Sequence, residues 1–309
     1  MSGFTFTDKT LKFGDKTVCD LNAAIRVSNA EELVSVMNDK PWANIELTQD
    51  IDMTSYLAAN PWNSTDAFFN KTFSGTLDGK GHSILNLVAT PENEYVYRTT
   101  NVVFKEIAAS GTIRNLHLKA TLGLAGSEGH RLSVLFGNMY GKLENCFFDL
   151  DVNFETDWAA YGAAPIYTVA ATTKVENCVF YIPAASGLRM VCTEAGASGE
   201  ETFRNVAFIY KTVGIHLFAL PPKYSPNYSD IYAITIDTEN GAFKDFKVLD
   251  TTKYTEEGIK DDKGNRVANS TEYWKDETAA TITLGDSVIT GKTLKFGNTT
   301  IADLNVTEG

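Results

Sequence analysis

The densest group of residues able to do chemistry in this chain is acidic: Asp149, Asp151, Glu155 and Asp157 fall within nine positions. Carboxylates gathered in this way can hold a hard cation such as calcium. They can also divide into general acid and general base for cleavage of a glycosidic bond. Asp149 and Asp151 are two apart, so on a strand they share one side. The corresponding place about thirty residues on reads Val179-Phe180-Tyr181-Ile182-Pro183 and offers no carboxylate to complete a pair. A solvated face or turn is therefore the preferred reading of the cluster, with catalysis as the alternative.

The remaining chemical candidates are weaker. His82, His117, His130 and His216 are scattered without metal-ligand spacing, and His117, between Leu116 and Leu118, is expected to face outward from a strand. Asp50, Asp52 and Asp78 read as turn formers. Gly75, Gly79 and Gly81 lack the Gly-Lys-Ser/Thr element and following helix of a phosphate loop, so they read as a bend. Cys19, Cys146, Cys178 and Cys192 include no pair at ligand spacing. No metal and no cofactor are expected.

The elements that must position these residues are legible in five asparagines set between apolar neighbours: Asn86, Asn115, Asn145, Asn177 and Asn205, with gaps of 29, 30, 32 and 28 residues. Such a period marks a repeat architecture, whose units bury their apolar sides only by stacking. Each unit is a short run rich in Val, Ile, Phe and Leu bounded by turn residues, which is a strand pattern. Equivalent residues then stack at about 4.8 Å. A carboxamide carries both a donor and an acceptor, so the asparagines are expected to form a structural ladder rather than to catalyse. Cys146 and Cys178 follow ladder positions and are expected to be small, buried, stacked thiols. A further coil is expected at Tyr228–Ile234, with Asp230 in the asparagine place.

On Ile45–Asp52, Phe73–Ile84 and the Asn-Cys pairs, the chain resembles the pectin-lyase-like right-handed parallel β-helices, and among them bacterial and phage proteins with GLUG-type repeats. The resemblance covers roughly residues 25–240 and implies an all-β solenoid. It also implies that an enzymatic version would be a polysaccharide lyase or hydrolase working through an acidic cluster. Stacked coils need lids. Ser28 with Glu31 reads as a capping box opening a short helix, Ala30–Asn38, with Ala30, Leu33, Val36 and Met37 on its apolar face. An upper lid is expected within 241–280, punctuated by Phe243, Phe246, Tyr254 and Trp274.

The two ends carry the same motif. Residues 9–22 and 292–305 agree at ten of fourteen positions, and each reads as a hairpin with a Gly-Asp or Gly-Asn turn. A hairpin this small must pack on something. Either the copies form part of the solenoid's lids, or Leu11, Phe13, Gly14 and Val18 together with Leu294, Phe296, Gly297 and Ile301 dock on a repetitive partner. The expected organisation is an N-terminal module (1–24), a β-helix (25–240), a cap (241–281) and a C-terminal module (282–309).

With 309 residues and 43% hydrophobic content the chain can bury a large core. Its net charge of −12 argues against nucleic acid and anionic membrane surfaces as partners. Met1–Thr5 lacks a basic region followed by an apolar run, so no export is expected. The terminal hairpins resemble linker modules of bacteriophage virion proteins. That resemblance implies a structural virion protein, as capsid decoration, head fibre or tail appendage, assembled in the bacterial host cytoplasm. Its expected partners are capsid or tail proteins, host-surface polysaccharide and further copies of itself in a homo-oligomer. A carbohydrate-active enzyme and a bacterial surface adhesin are the alternatives.

Overall fold

The computed structural model describes residues 4–7, 10–20, 22–62, 66–89, 102–124, 133–154, 164–186, 192–195, 202–212, 227–237, 240–255, 257–267 and 270–305. Its centre is a parallel β-helix with two walls. One wall is a twelve-stranded sheet that includes the long strands Thr112–Leu124, Lys142–Phe154, Lys174–Ser186, Thr202–Thr212 and Asn227–Asp237, paired parallel in that order. The other is a five-stranded sheet of shorter pieces, among them Phe69–Phe73, Phe104–Ile107 and Ser133–Met139.

The asparagines explain how each long strand turns a corner without ending. Asn86, Asn115, Asn145, Asn177 and Asn205 all have left-handed backbone, with φ between 50° and 58°. Asparagine is one of the few residues with a side chain that adopts this region readily. The inserted left-handed residue shifts the strand's alternation by one. Ile113 points inward, and after Asn115 the inward series resumes at Leu116, Leu118, Ala120 and Leu122, all essentially inaccessible. Asp230 takes the same conformation at φ 54° in the strand Asn227–Asp237, so the further coil exists with an aspartate in the ladder place.

Inside, like stacks on like. The rings of Phe148, Phe180 and Phe208 follow one another at 5.1 Å, as do Phe69, Phe104 and Phe136 at 5.0 and 5.2 Å. This is the strand spacing expressed in side chains. Cys146 and Cys178 are free, fully buried thiols in adjacent strands. Each directs Sγ to the carbonyl two residues before it, Glu144 O at 3.3 Å and Glu176 O at 3.2 Å.

The lower lid is the helix Ala30–Asp39, with Ala30, Leu33, Val34 and Met37 buried. Val36, expected on that face, is only half-buried, and Val34 takes its place. The cap is also one residue later than the sequence suggested. Asn29 Oδ1 accepts from the Glu32 N–H at 2.9 Å, while Ser28 N–H donates back to the Glu32 carboxylate at 2.8 Å. The two halves of a capping box are thus divided between adjacent residues. Gly75 passes so close to the end of this lid that a Cβ would lie 1.9 Å from the Ala43 carbonyl oxygen. At the other end Ala242–Leu249 pairs antiparallel with Asn227–Asp237, and Trp274–Asp276 pairs antiparallel with it in turn, which stops the coil. Tyr254 and Tyr273 close the core there, with the Arg266 guanidinium 5.5 and 5.7 Å from their ring centres. Phe243 and Phe246 do not belong to this lid. They join a second apolar cluster on the outside of the β-helix.

Both terminal motifs fold as antiparallel sheets. The N-terminal one has three strands, Phe4–Thr7, Thr10–Phe13 and Lys16–Asp20. The C-terminal one has four, Thr281–Leu284, Ser287–Thr290, Thr293–Phe296 and Thr299–Asp303.

Candidate functional site

The outer face of the long strands, just past the asparagine corner, is where the sequence departs from the pattern of a half-solvated sheet. Outward positions there hold Phe147, Val179, Ala207, Ile209 and Ile234, all fully buried. Strands buried on both faces read as continuous apolar runs, and Cys146-Phe147-Phe148 and Val206-Ala207-Phe208-Ile209 are such runs. Those runs are the signal in the sequence for a second layer over this face.

The second layer is the C-terminal sheet. Ile282, Leu284, Ile289, Leu294 and Phe296 pack on this flank together with Phe243. Phe296 lies 6.1 Å from Phe147 and 6.4 Å from His117, ring centre to ring centre. Burial of each such side chain contributes roughly 1.5–3 kcal/mol. Leu294 and Phe296, candidates for docking a partner, are therefore covered by the chain's own β-helix, and Ile301 is half-buried beside them. Gly297 keeps the left-handed turn at φ 55°.

The ladder takes part in this contact. Asn115 donates to the Asp78 carboxylate at 3.0 Å, Asn145 to Asn115 Oδ1 at 2.9 Å, and Asn205 to Asn177 Oδ1 at 2.7 Å. Between Asn145 and Asn177 the C-terminal module enters. Asn145 Nδ2 also donates to the Asp286 carboxylate, and the Asp286 N–H donates to Asn145 Oδ1, both at 2.8 Å. Gly285 makes the approach feasible: its φ is 58°, and a Cβ there would lie 2.3 Å from Asn145 Oδ1. At the ladder's foot Asp78 feels burial, which raises its pKa, but hydrogen bonds from Asn115, the Lys80 N–H and Arg114 outweigh it and hold the carboxyl below its usual range.

His117 faces outward as its alternation required, yet it is buried, because Phe296 lies over it. Its Nδ1 is 3.1 Å from Ser83 Oγ, and its Nε2 has no hydrogen-bond partner among the described residues. Burial, helped by the nearby Lys119 cation, lowers its pKa to about 4.

The acidic cluster is only partly placed. Asp149 is buried and Asp151 exposed, while Glu155 and Asp157 lie outside the described residues. Asp149 sits 3.5 Å from the Lys119 ammonium and opposite Tyr181 on the next strand. Burial pushes the Asp149 carboxyl up, and burial together with Asp149 pushes the Tyr181 phenol up to about 12. Two carboxylates with unlike surroundings can divide acid from base, but here the buried one is occupied by Lys119. Asp52 and Asp78 do form turns, accepting the N–H groups of Thr54 and Lys80, whereas Asp50, expected to do the same, accepts the Ser83 N–H from 33 residues away and so ties two coils together. An open cavity of about 400 Å³ lies where the helix Thr54–Ala59 meets Asn86, with Leu57, Trp62 and Val88 among its walls.

The N-terminal module differs from its twin in one respect that matters. Leu11 is half-buried, while Phe13 and Val18 are 52% and 54% exposed. Gly14 has the same left-handed turn as Gly297.

Residues 24–159 match the pectate lyase-like adhesive domain family. The match begins just before the first strand of the β-helix, includes the lower lid, and ends just past the strand that carries Asp149 and Asp151. The match, over less than half of the chain, agrees with the observed coil in a pectate-lyase-like parallel β-helix. No curated protein and no solved structure matches the chain.

Proposed function

We propose that the chain is an adhesive, structural β-helix of a bacteriophage particle, serving as capsid decoration, head fibre or tail appendage. The observation that carries this reading is the unequal fate of the two terminal modules. One covers the flank of its own β-helix, whereas the other holds Phe13 and Val18 out to solvent. An apolar face kept exposed on a hairpin sheet is a docking element. The likeness of these hairpins to virion linker modules and the match to an adhesive family support display of the β-helix at a surface. Host-surface polysaccharide is the ligand class that fits such a role. The cavity between Trp62, Val88 and Asn86, with apolar walls and a few polar groups, is a concave place to hold part of it.

The test is incorporation. Particles assembled with a chain lacking residues 1–24 should be devoid of the protein, while the truncated chain stays folded in solution. Full incorporation of the truncated chain would overturn the assignment of the N-terminal module.

A further inference from the structure

The two terminal modules are closer than their sequences alone convey. Phe13 and Phe296 end equivalent strands. Thr10 pairs with Asp20 as Thr293 pairs with Asp303, and the ladder is interrupted at the same step, after Leu11 in one and after Leu294 in the other. The turn glycines match, with φ of 59° at Gly14 and 55° at Gly297. Even the closing turn repeats: Asp20 Oδ1 accepts from Asn22 N–H at 2.8 Å and Asp303 Oδ1 from Asn305 N–H at 2.9 Å. The C-terminal module has a leading strand, Thr281–Leu284, with no counterpart among the described residues of the N-terminal module. Over the shared strands Leu11, Phe13 and Val18 stand where Leu294, Phe296 and Ile301 stand, and the structure shows what fits against the second set. It is the outer flank of a β-helix, with Phe147, Val179, Ala207 and Ile209 as its floor and His117 at its edge.

We propose that the N-terminal module of one copy seats on the β-helix flank of a second copy, in the place that the second copy's own C-terminal module otherwise holds. This rests on the reading of the N-terminal module as a docking element and names its partner as the chain itself. Each chain then has two modules able to sit and one seat. Within one chain the tethered C-terminal module has the advantage of a high effective concentration. The neighbour's module competes when copies are crowded, as they are on a particle, or when the seat is vacated. The contact joins unlike surfaces, so it closes as a two-fold dimer where two copies exchange modules reciprocally and otherwise propagates head to tail into a ring or an open fibre.

The experiment is sedimentation velocity on the full chain over a concentration series, with four proteins: native, Phe296→Asp, Phe13→Asp and the double variant. Phe296→Asp should loosen the resident module and open the seat, shifting self-association to at least ten-fold lower concentration than in the native chain. Adding Phe13→Asp should return that protein to monomer over the same range. Asp286→Ala, which removes the carboxylate bound by Asn145, opens the seat more gently and should shift association in the same direction if Phe296→Asp proves poorly folded. Two results would overturn the proposal. One is that the seat-opened variants stay monomeric at every concentration. The other is that their association survives Phe13→Asp, which would show an uncovered flank sticking to itself. Because no particle is present, either failure leaves the incorporation test of residues 1–24 untouched.

Discussion

Asn145 and Asp286 are 141 residues apart, and each donates a 2.8 Å hydrogen bond to the other. This reciprocal pair joins a ladder position of the β-helix to the turn of the C-terminal module. It makes Asn145 the one described ladder residue with two jobs: it bonds Asn115 below and clips the outer layer in place.

That double role separates two substitutions. Asn145→Gly keeps the left-handed backbone but loses the hydrogen bonds, while Asn145→Ala also strains the corner. Each lost bond to a charged group is worth about 1.5–3 kcal/mol, and a left-handed alanine costs about 1–2 kcal/mol more. Denaturant unfolding should rank native above Asn145→Gly above Asn145→Ala. Equal stability of the two variants would remove the backbone argument.

Phe296→Ala should uncover the flank without touching the inner core. Truncating a buried phenylalanine costs roughly 3–5 kcal/mol, here charged to the docking of one layer. Limited proteolysis should release a fragment containing residues 282–309 sooner than in the native chain, with the β-helix left intact. A protected C-terminal module in this variant would show that the flank contacts are dispensable.

His117 gives the contact a pH dependence. Its folded pKa is about 4 and its unfolded value 6.5, so the unfolded state binds the proton first as pH falls. Stability from this residue is fully present above pH 6.5, declines as pH drops through the interval, and is gone below about 4. At about 1.4 kcal/mol per pKa unit the total is roughly 3 kcal/mol. Urea midpoints measured from pH 7.5 to 4 should slope accordingly, and His117→Phe should flatten that slope. The Asp78 carboxyl, held below its ordinary range, acts in a lower window: its contribution is lost as pH falls below about 4.

Cys146 and Cys178 should resist a thiol reagent until the protein unfolds. Both are inaccessible, and burial raises the Cys178 thiol well above its usual range, leaving little thiolate. Mapping of labelled peptides by mass spectrometry should find neither site modified in the native chain. Rapid labelling at either would mean that the stack opens there.

Asp151→Asn tests the catalytic alternative. Asp151 is the exposed member of the described acidic pair and Asp149 is engaged by Lys119. Incubation with bacterial surface polysaccharide should give the same product profile for the native chain and the variant. Product release that disappears with Asp151→Asn would reinstate an enzyme.

What the residues determined by themselves was the coil and its corners. A carboxamide that tolerates left-handed backbone, placed between β-branched and aromatic residues about every thirty positions, specifies a turn and a register locally, and the helix before Asn44 specifies a lid in the same way. The repeated terminal hairpins were equally plain, because their strands and Gly turns are close in sequence. Only the tertiary structure decided which hairpin sheet is covered. The flank at Phe147, Val179, Ala207 and Ile209 becomes one surface only after successive coils stack, and Asn145 meets Asp286 only across that stack. The same stacking carried His117 from an expected solvated row into a dry contact under Phe296, since a residue's environment is set by the layer laid over its strand and not by its place along it.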